Sequence, residues 1–181
     1  MISADEFARA QQYTAETLAA AGIVITPAER ARIEVADFGL NDLQHIGLEI
    51  VEYVNTDRCC AKELVLYPGQ ICPQHRHPTI DGQPGKEETF RCRAGQVYLH
   101  LPGDDTPNPQ GNVPAARAHT FTVWNEVILN TGEQYTLFPD TWHWFQAGPE
   151  GAVVSEFSTK SRDEADIFYD LDIMRIPEVA G

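Results

Sequence analysis

The segment Gly69-x5-His75-x-His77-x10-Glu88-x6-Gly95 decides both the fold and the chemistry expected of this chain. In a β-strand, side chains two residues apart project to the same face, so His75 and His77 can direct two imidazoles at one ion. Glu88 opens the next strand, where its face is shared with apolar neighbours and an unpaired carboxylate would be costly to bury. A bound cation would remove that cost. The segment therefore predicts a metal site between two strands.

A third imidazole comes from His143, which lies among aromatic residues where both ring nitrogens need partners. Three imidazoles and one carboxylate leave two positions of an octahedral ion open. Mn²⁺, Fe²⁺, Co²⁺, Ni²⁺ and Zn²⁺ all accept this mixture of ligands, so spacing alone does not name the metal. The remaining histidines lie outside the pattern, and strand alternation predicts that one of them, His100, faces outward.

Around this segment, the pattern of apolar residues favours a mainly β protein with helices at its start. Capping boxes at Ser3 and Thr26 predict two helices, the second continuing through 31–36. After about residue 41, short runs rich in β-branched and aromatic residues alternate with Gly, Pro, Asn and Asp, as in a β-sandwich or barrel. The predicted strands include 50–54, 60–67, 89–93, 96–101, 119–123, 135–138 and 152–158.

Composition limits the classes of partner and compartment. The chain has 181 residues, suited to one domain, and 13 basic against 27 acidic residues give a charge of −14, which argues against nucleic acid. Apolar runs stay short of the roughly 20 residues of a membrane span. The first residues do not resemble a signal peptide. The four cysteines, Cys59, Cys60, Cys72 and Cys92, are expected to be reduced thiols, with adjacent Cys59 and Cys60 on opposite faces. These features predict a cytoplasmic protein.

The metal segment and the later His143 form the metal motif of the cupins, whose domain is a jelly roll. Further motifs resemble the D-lyxose isomerase family over roughly residues 3–170. They are Asp37-Phe38-Gly39-Leu40, Tyr53-Val54-Asn55-Thr56-Asp57, Ala61-Lys62-Glu63-Leu64, Cys72-Pro73-Gln74-His75-Arg76-His77-Pro78 and Pro139-x-Thr141-Trp142-His143-Trp144-Phe145. The resemblance predicts a single cupin domain over 1–181, with a helical extension (1–40), a β core (41–160) and a tail (161–181).

The resemblance implies a homodimeric aldose–ketose isomerase that acts on free sugars and uses Mn²⁺ or a similar divalent ion. Such enzymes interconvert D-lyxose with D-xylulose and often D-mannose with D-fructose, by chelation of O1 and O2 and proton transfer between C2 and C1. The implied metal ligands are His75, His77, Glu88 and His143. The implied catalytic residues are Lys62, which also contacts substrate, and Glu156. Trp142 and Trp144 are further candidates for substrate contacts.

Strand parity supports two of these assignments independently. Lys62 shares a face with apolar residues of its strand and Glu156 with Val154, so both should point inward. The segment 157–166 resembles the family's Asp-rich tail only loosely, so Asp163 and Asp166 receive no predicted role.

Several functions stay open at the level of sequence. A hydride shift between C1 and C2 could replace proton transfer. The same ligands suit a cupin Fe²⁺ dioxygenase or a non-catalytic metal- or sugar-binding module. A cupin sugar-phosphate isomerase would need cations for the phosphate, for which Arg76 and Lys86 are the candidates.

Overall fold

The computed structural model describes residues 2–175. Helix α1 (Ala4–Ala20) begins where the Ser3 hydroxyl accepts a hydrogen bond from the Glu6 amide. Helix α2 (Pro27–Arg30) begins at a reciprocal capping box between Thr26 and Glu29. Both helix starts were predicted from the sequence, because a side-chain cap satisfies amide groups that have no partner within the helix.

Nine strands follow and form one antiparallel sheet that curls into a jelly roll. They are β1 (Glu34–Ala36), β2 (Leu48–Asn55), β3 (Cys60–Leu66), β4 (Ile71–Arg76), β5 (Glu88–Leu101), β6 (Asn125–Asn130), β7 (Gln134–Leu137), β8 (His143–Ser158) and β9 (Ile167–Phe168). The path runs β1-β2-β3-β8-β4-β9, and β5 pairs with β6, β7 and β8. Strand β8 is thus the centre of the fold, since it pairs with β3, β4 and β5. Short 3₁₀ helices span Ala115–Thr120 and Asp163–Ala165.

Two hydrophobic layers hold this sheet. The inner face encloses the main core, in which Leu64, Phe90 and Phe145 are fully buried. On the outer face, Leu18 of α1 packs against Val65 and Val153. The prediction of a mainly β cupin jelly roll with N-terminal helices packed outside is confirmed. No helix within residues 2–175 is long and apolar enough to cross a membrane.

Three details of the predicted secondary structure were wrong. The second helix ends at Arg30, and 34–36 instead pairs with β2 as strand β1. The runs 89–93 and 96–101 form one strand, β5, bent at Gly95, whose φ of 71° and close approach to the Gly151 carbonyl require glycine. The run 119–123 is the end of a 3₁₀ helix and an irregular segment rather than a strand.

His100 also differs from its prediction. Alternation does place it on the outer face of β5, but that face is covered there. Its ring stacks on Trp144 with centroids 3.7 Å apart, and the loop around Gly111 closes over it, so the side chain is buried. The outer face of a strand is solvent-exposed only where no loop packs on it, and a loop's path is not visible in strand periodicity.

Candidate metal centre and active site

Three imidazoles converge at one end of the barrel. His75 lies in β4, His77 directly follows that strand, and His143 opens β8 opposite His75 in the strand register. All three side chains are buried, and one ring nitrogen from each lies within 4.8 Å of the others. The structure therefore brings together the three histidines that the sequence selected.

Each imidazole is oriented by a hydrogen bond from its Nδ1. Because carbonyl and carboxylate oxygens only accept, Nδ1 is the protonated nitrogen and Nε2 is directed at the centre. This arrangement is typical of metal-ligating histidines. The acceptors are the Pro73 carbonyl for His75 (2.8 Å), the Thr141 carbonyl for His143 (2.9 Å) and the Asp166 Oδ1 for His77 (2.6 Å).

Glu88 supplies the oxygen at this centre. It is the first residue of β5, and its Oε1 lies 3.0 Å from His77 Nε2 and 3.1 Å from His143 Nε2. Although close to this oxygen, His143 Nε2 has no hydrogen bond of acceptable geometry within residues 2–175. A buried nitrogen without a hydrogen bond is costly, and a cation at the centre would satisfy it. The four side chains therefore fit a divalent ion.

Metal ligands must be deprotonated, and the electrostatics differ among these groups. Burial and Lys86 would lower the pKa of His77, but Glu88 and Asp166 outweigh them and raise it to about 9, so this imidazole would release a proton on binding a metal. Burial lowers the pKa of His75 well below the usual value, and the neighbouring His143 and His77 lower it further. Burial by itself would raise the pKa of Glu88. Lys86 and His77 outweigh that effect and hold this pKa well below the usual value. A neutral imidazole and an ionised carboxylate are thus available together.

Lys62 and Glu156 lie beside this centre. They are opposite each other in the register of β3 and β8, and both side chains are buried on the inner face, as strand parity predicts. The Lys62 ammonium donates to Ser161 Oγ (3.0 Å) and to Asp163 Oδ2 (2.5 Å).

Lys86 is a member of the site that the sequence reasoning considered only as a cation for a phosphate group. Its ammonium lies 2.8 Å from Glu88 Oε2 and donates to Glu156 Oε1 at 3.0 Å, so it joins the carboxylate at the centre to the catalytic candidate. The sequence signal that could have placed Lys86 in the site is its position two residues before Glu88, because residues two apart in an extended chain face the same side. The adjacent Gly85 permits this path, because a Cβ there would lie 1.9 Å from the His77 carbonyl oxygen.

The C-terminal tail completes the site. It contributes Asp163, which binds Lys62, Asp166, which orients His77, and Arg175, which donates to Asp163 at 3.1 Å. The two aspartates lay in the segment to which no role was assigned. No sequence signal marked Arg175, because a tail has no strand periodicity to place it.

The cavity at this centre has a volume of about 30 Å³. Its lining combines the charged groups with aromatic and aliphatic side chains. These include Phe38, Leu48, Ile50, Phe90, Phe145 and Phe168.

Trp142 and Trp144 are not among the residues within 2–175 that line the cavity. Trp144 is fully buried on the outer face against His100, because it directly follows the inward-facing His143 in the strand. Trp142 lies at the rim beneath the Arg76 guanidinium, 5.2 Å from the ring centre to Cζ, and against Tyr169. The aromatic surface facing the site is formed by phenylalanines instead.

The sequence profile of the D-lyxose isomerase family matches residues 11–181. The chain belongs to this family. It is 57% identical to D-lyxose/D-mannose isomerase of Thermosediminibacter oceani over 179 residues, which cover 99% of both chains. It is 54% identical to D-lyxose ketol-isomerase of a Thermofilum species, again over 99% of both chains.

Solved structures support the fold. L-ribose isomerase of Cellulomonas parahominis superposes with a TM-score of 0.80 at 18% identity, covering 94% of each chain. L-ribose isomerase of Acinetobacter sp. DL28, in complex with L-ribose, gives a TM-score of 0.81 at 16% identity, covering 95% of this chain and 94% of the other. At this identity, the likeness establishes a shared architecture.

Proposed function

We propose that this family member is a metal-dependent aldose–ketose isomerase that converts D-lyxose to D-xylulose and D-mannose to D-fructose. One observation supports it most: three buried imidazoles and Glu88 converge beside the paired Lys62 and Glu156. Relatives named for reactions on D-lyxose and D-mannose align over nearly the whole chain at 52–57% identity.

We assign His75, His77, Glu88 and His143 as ligands of a divalent ion, with Mn²⁺ as the proposed metal. A mixed nitrogen and oxygen ligand set with positions left open suits this ion. When bound, a divalent ion supplies Lewis-acid polarisation of the neighbouring sugar oxygens.

Glu156 is the proposed acid/base, moving the proton between C2 and C1. Its Oε1 is held by Lys86 at 3.0 Å and by Ser158 Oγ at 3.3 Å, which fixes the carboxylate toward the cavity. Lys62 is the proposed donor to the substrate oxygen on which charge develops. Its ammonium is positioned by Ser161 and Asp163. The apolar side chains among the lining residues limit the access of water, which strengthens electrostatic interactions in the site.

The first test is metal-restored turnover. The purified protein is stripped with EDTA, Mn²⁺ is added back, and ketose formation from D-lyxose and D-mannose is followed. Glu156→Gln should lose about 10²- to 10⁴-fold in rate, the usual contribution of a positioned general base. The matched control is Glu87→Gln, which changes an exposed glutamate next to Glu88 in the sequence. A loss under about threefold for Glu156→Gln would remove this residue from the mechanism.

Isotope tracing separates proton transfer from a hydride shift. With substrate deuterated at C2, proton transfer through Glu156 predicts exchange of the label with solvent. Complete retention of deuterium at C1 would instead support direct hydride movement.

The alternatives fit the site less well. A phosphate group would meet four carboxylates at the cavity, Glu88, Glu156, Asp163 and Asp166. Of the candidate cations, Lys86 already binds two of these carboxylates, and Arg76 pairs with Asp140 outside the cavity. Sugar phosphates and O₂ uptake are run in parallel with the turnover assay. Activity on either, without turnover of free sugars, would overturn the proposed function.

We also propose a cytoplasmic homodimer. All four cysteines are free thiols in the part of the chain described here, which accords with a reducing compartment.

The proposed dimer contact lies on the outer face of the sheet. An uncharged row runs there across four paired strands through Ala61, Phe157, Thr89 and Thr136, and Phe157 is 51% exposed. In a chain of charge −14, an uncharged row with an exposed aromatic ring suits contact with a second copy. Light scattering of wild type and Phe157→Lys tests it, since a dimer unchanged by that substitution would exclude this face.

A further inference from the structure

Residues 169–175, here called the C-terminal strap, cross the open end of the barrel above the site. The strap is attached at both ends. The Tyr169 amide donates to the Gln74 carbonyl at 2.9 Å, and Asp170 forms an ion pair with Arg117. At the other end, the Met174 amide donates to the Phe38 carbonyl at 2.9 Å.

Arg175 turns from the strap into the cavity. Its side chain is only 13% exposed, and its guanidinium pairs with Glu34 of β1 and with Asp163 Oδ2 at 3.1 Å. The same Oδ2 accepts the hydrogen bond from Lys62. One carboxylate oxygen therefore connects the strap to the proposed catalytic lysine. A buried guanidinium needs such carboxylate partners, since removing one partner of a buried pair leaves an uncompensated charge.

The turn that receives the strap has an unusual shape. Phe38 has a φ of 52°, an uncommon conformation for a bulky residue, which costs of the order of 1 kcal/mol or more. Its carbonyl accepts the Met174 amide, and the following Gly39 leaves room for the Met174 side chain. A Cβ on Gly39 would lie 2.8 Å from Met174 Cε. Strained residues persist where the surrounding structure requires them, and here the turn is shaped to seat Met174.

The enclosed part of the cavity is small, and the rest of it opens to solvent. A volume of about 30 Å³ holds roughly two water molecules, far fewer atoms than a sugar has. Most cavity walls are strands held by continuous ladder hydrogen bonds. The strap follows the short strand β9, and its middle residues are exposed, with Leu171 at 94%. Segments with few buried contacts open most readily, so the strap is the part that can admit a substrate.

We propose that Arg175 is a positioning residue of this active site: it latches the C-terminal strap over the bound sugar and holds Asp163 against Lys62. This inference rests on the proposed function for its substrate. Closure would bring Arg175 to its two carboxylates, and through Asp163 the lysine would be aligned with the substrate oxygen. Arg175 itself acts through Asp163 and Lys62.

Two arginines that secure the strap provide a matched comparison. Arg117→Gln removes the ion pairs with Asp170 and Asp172, outside the cavity, and leaves the contact between Arg175 and Asp163 intact. Arg175→Gln removes both the latch and the support of Asp163. Arg175→Lys keeps one charge for the same carboxylates. Manganese content is measured for each variant, so that altered metal binding is distinguished from altered positioning.

Kinetics should separate the two positions. Arg175→Gln should lower kcat by about 10²-fold, the order expected when a reacting group is misplaced by about 1 Å. Arg175→Lys should recover part of this loss. Arg117→Gln should change KM while kcat stays within about threefold of wild type, because the catalytic groups remain in place. Equal kcat values for the glutamine variants at positions 175 and 117 would overturn the positioning role.

Hydrogen exchange at the Met174 amide tests the strap without turnover. Loss of the Arg175 pairs should speed this exchange about tenfold or more in the metal-free protein, as expected for lost hydrogen bonds between charged groups. Exchange unchanged by Arg175→Gln would overturn the latch. If wild type does not isomerise free sugars, the proposed function fails, and this exchange experiment still decides whether Arg175 holds the strap. Should Arg175→Gln not fold, Arg175→Lys is used in its place.

Discussion

Substitution of Lys86 by methionine should destabilise this protein strongly, because the lysine joins two buried carboxylates. Its ammonium lies 2.8 Å from Glu88 Oε2 and 3.0 Å from Glu156 Oε1, and all three side chains are at most 6% exposed. Removing one partner from a buried ion pair costs about 3–5 kcal/mol, since the charge that remains has no compensation. With a urea m-value of about 2–3 kcal/mol/M, the unfolding midpoint of the metal-free protein should fall by roughly 1–2 M.

The pH dependence of this loss has a definite sign. Lys86 is the largest influence that lowers the pKa of Glu88 below the ordinary value of 4.5. A carboxyl whose pKa is lowered by folding contributes stability above its unfolded pKa and loses that contribution as the pH falls. The difference between wild type and Lys86→Met should therefore be greatest near neutral pH and should shrink below about pH 4.5.

Two comparisons make the experiment specific. Lys160→Met removes an exposed lysine, 49% accessible and paired within residues 2–175 only with Asp57, and should leave the urea midpoint unchanged. Added Mn²⁺ should restore part of the stability of Lys86→Met, because a cation at the centre would again compensate Glu88. A metal-free Lys86→Met protein with the wild-type midpoint at pH 7 would refute the reasoning.

Three further predictions concern stability. Burial on the face of β2 that α1 covers raises the pKa of Glu49 to about 8, so the folding free energy of wild type should weaken by about 2 kcal/mol from pH 6 to 8. Glu49→Gln should remove this dependence on pH, whereas the variant of an exposed residue, Glu52→Gln, should retain it. The measurement is the urea midpoint at pH 6 and at pH 8. The same fall in midpoint for wild type and Glu49→Gln would contradict the prediction. EDTA should lower the thermal midpoint of wild type but leave His143→Gln almost unaffected, as measured by calorimetry with and without Mn²⁺. Gly85→Ala should cost about 1–3 kcal/mol because its Cβ would overlap the His77 carbonyl, and an unchanged urea midpoint would exclude that overlap.

Local sequence rules account for most of the fold and for the centre of the site. Capping boxes located both helix starts, and the period of two along the strands placed His75, Glu88, Lys62 and Glu156 on the inner face. These properties depend only on neighbours along the chain, so they can be read from one sequence. The aromatic surroundings of His143, in which both ring nitrogens need partners, added it to the same ligand set.

The features that only the tertiary structure revealed lie in loops and in the C-terminal tail, or depend on how strands pack together. His100 is buried because a loop covers that part of the outer face. Trp144 lies away from the cavity because the parity of β8 places it on the outer face. The crossing of the tail over the barrel brought Asp163 and Arg175 to the site.

The contrast has a physical reason. Alternation along a strand is set by backbone geometry within a few residues, and the sequence by itself therefore determined that the proposed ligands and the proposed catalytic pair face inward. The path of a loop or tail is set by contacts between residues far apart in sequence, such as the pair formed by Arg175 and Glu34. Only the folded chain decides those contacts, because each depends on where every other element has packed.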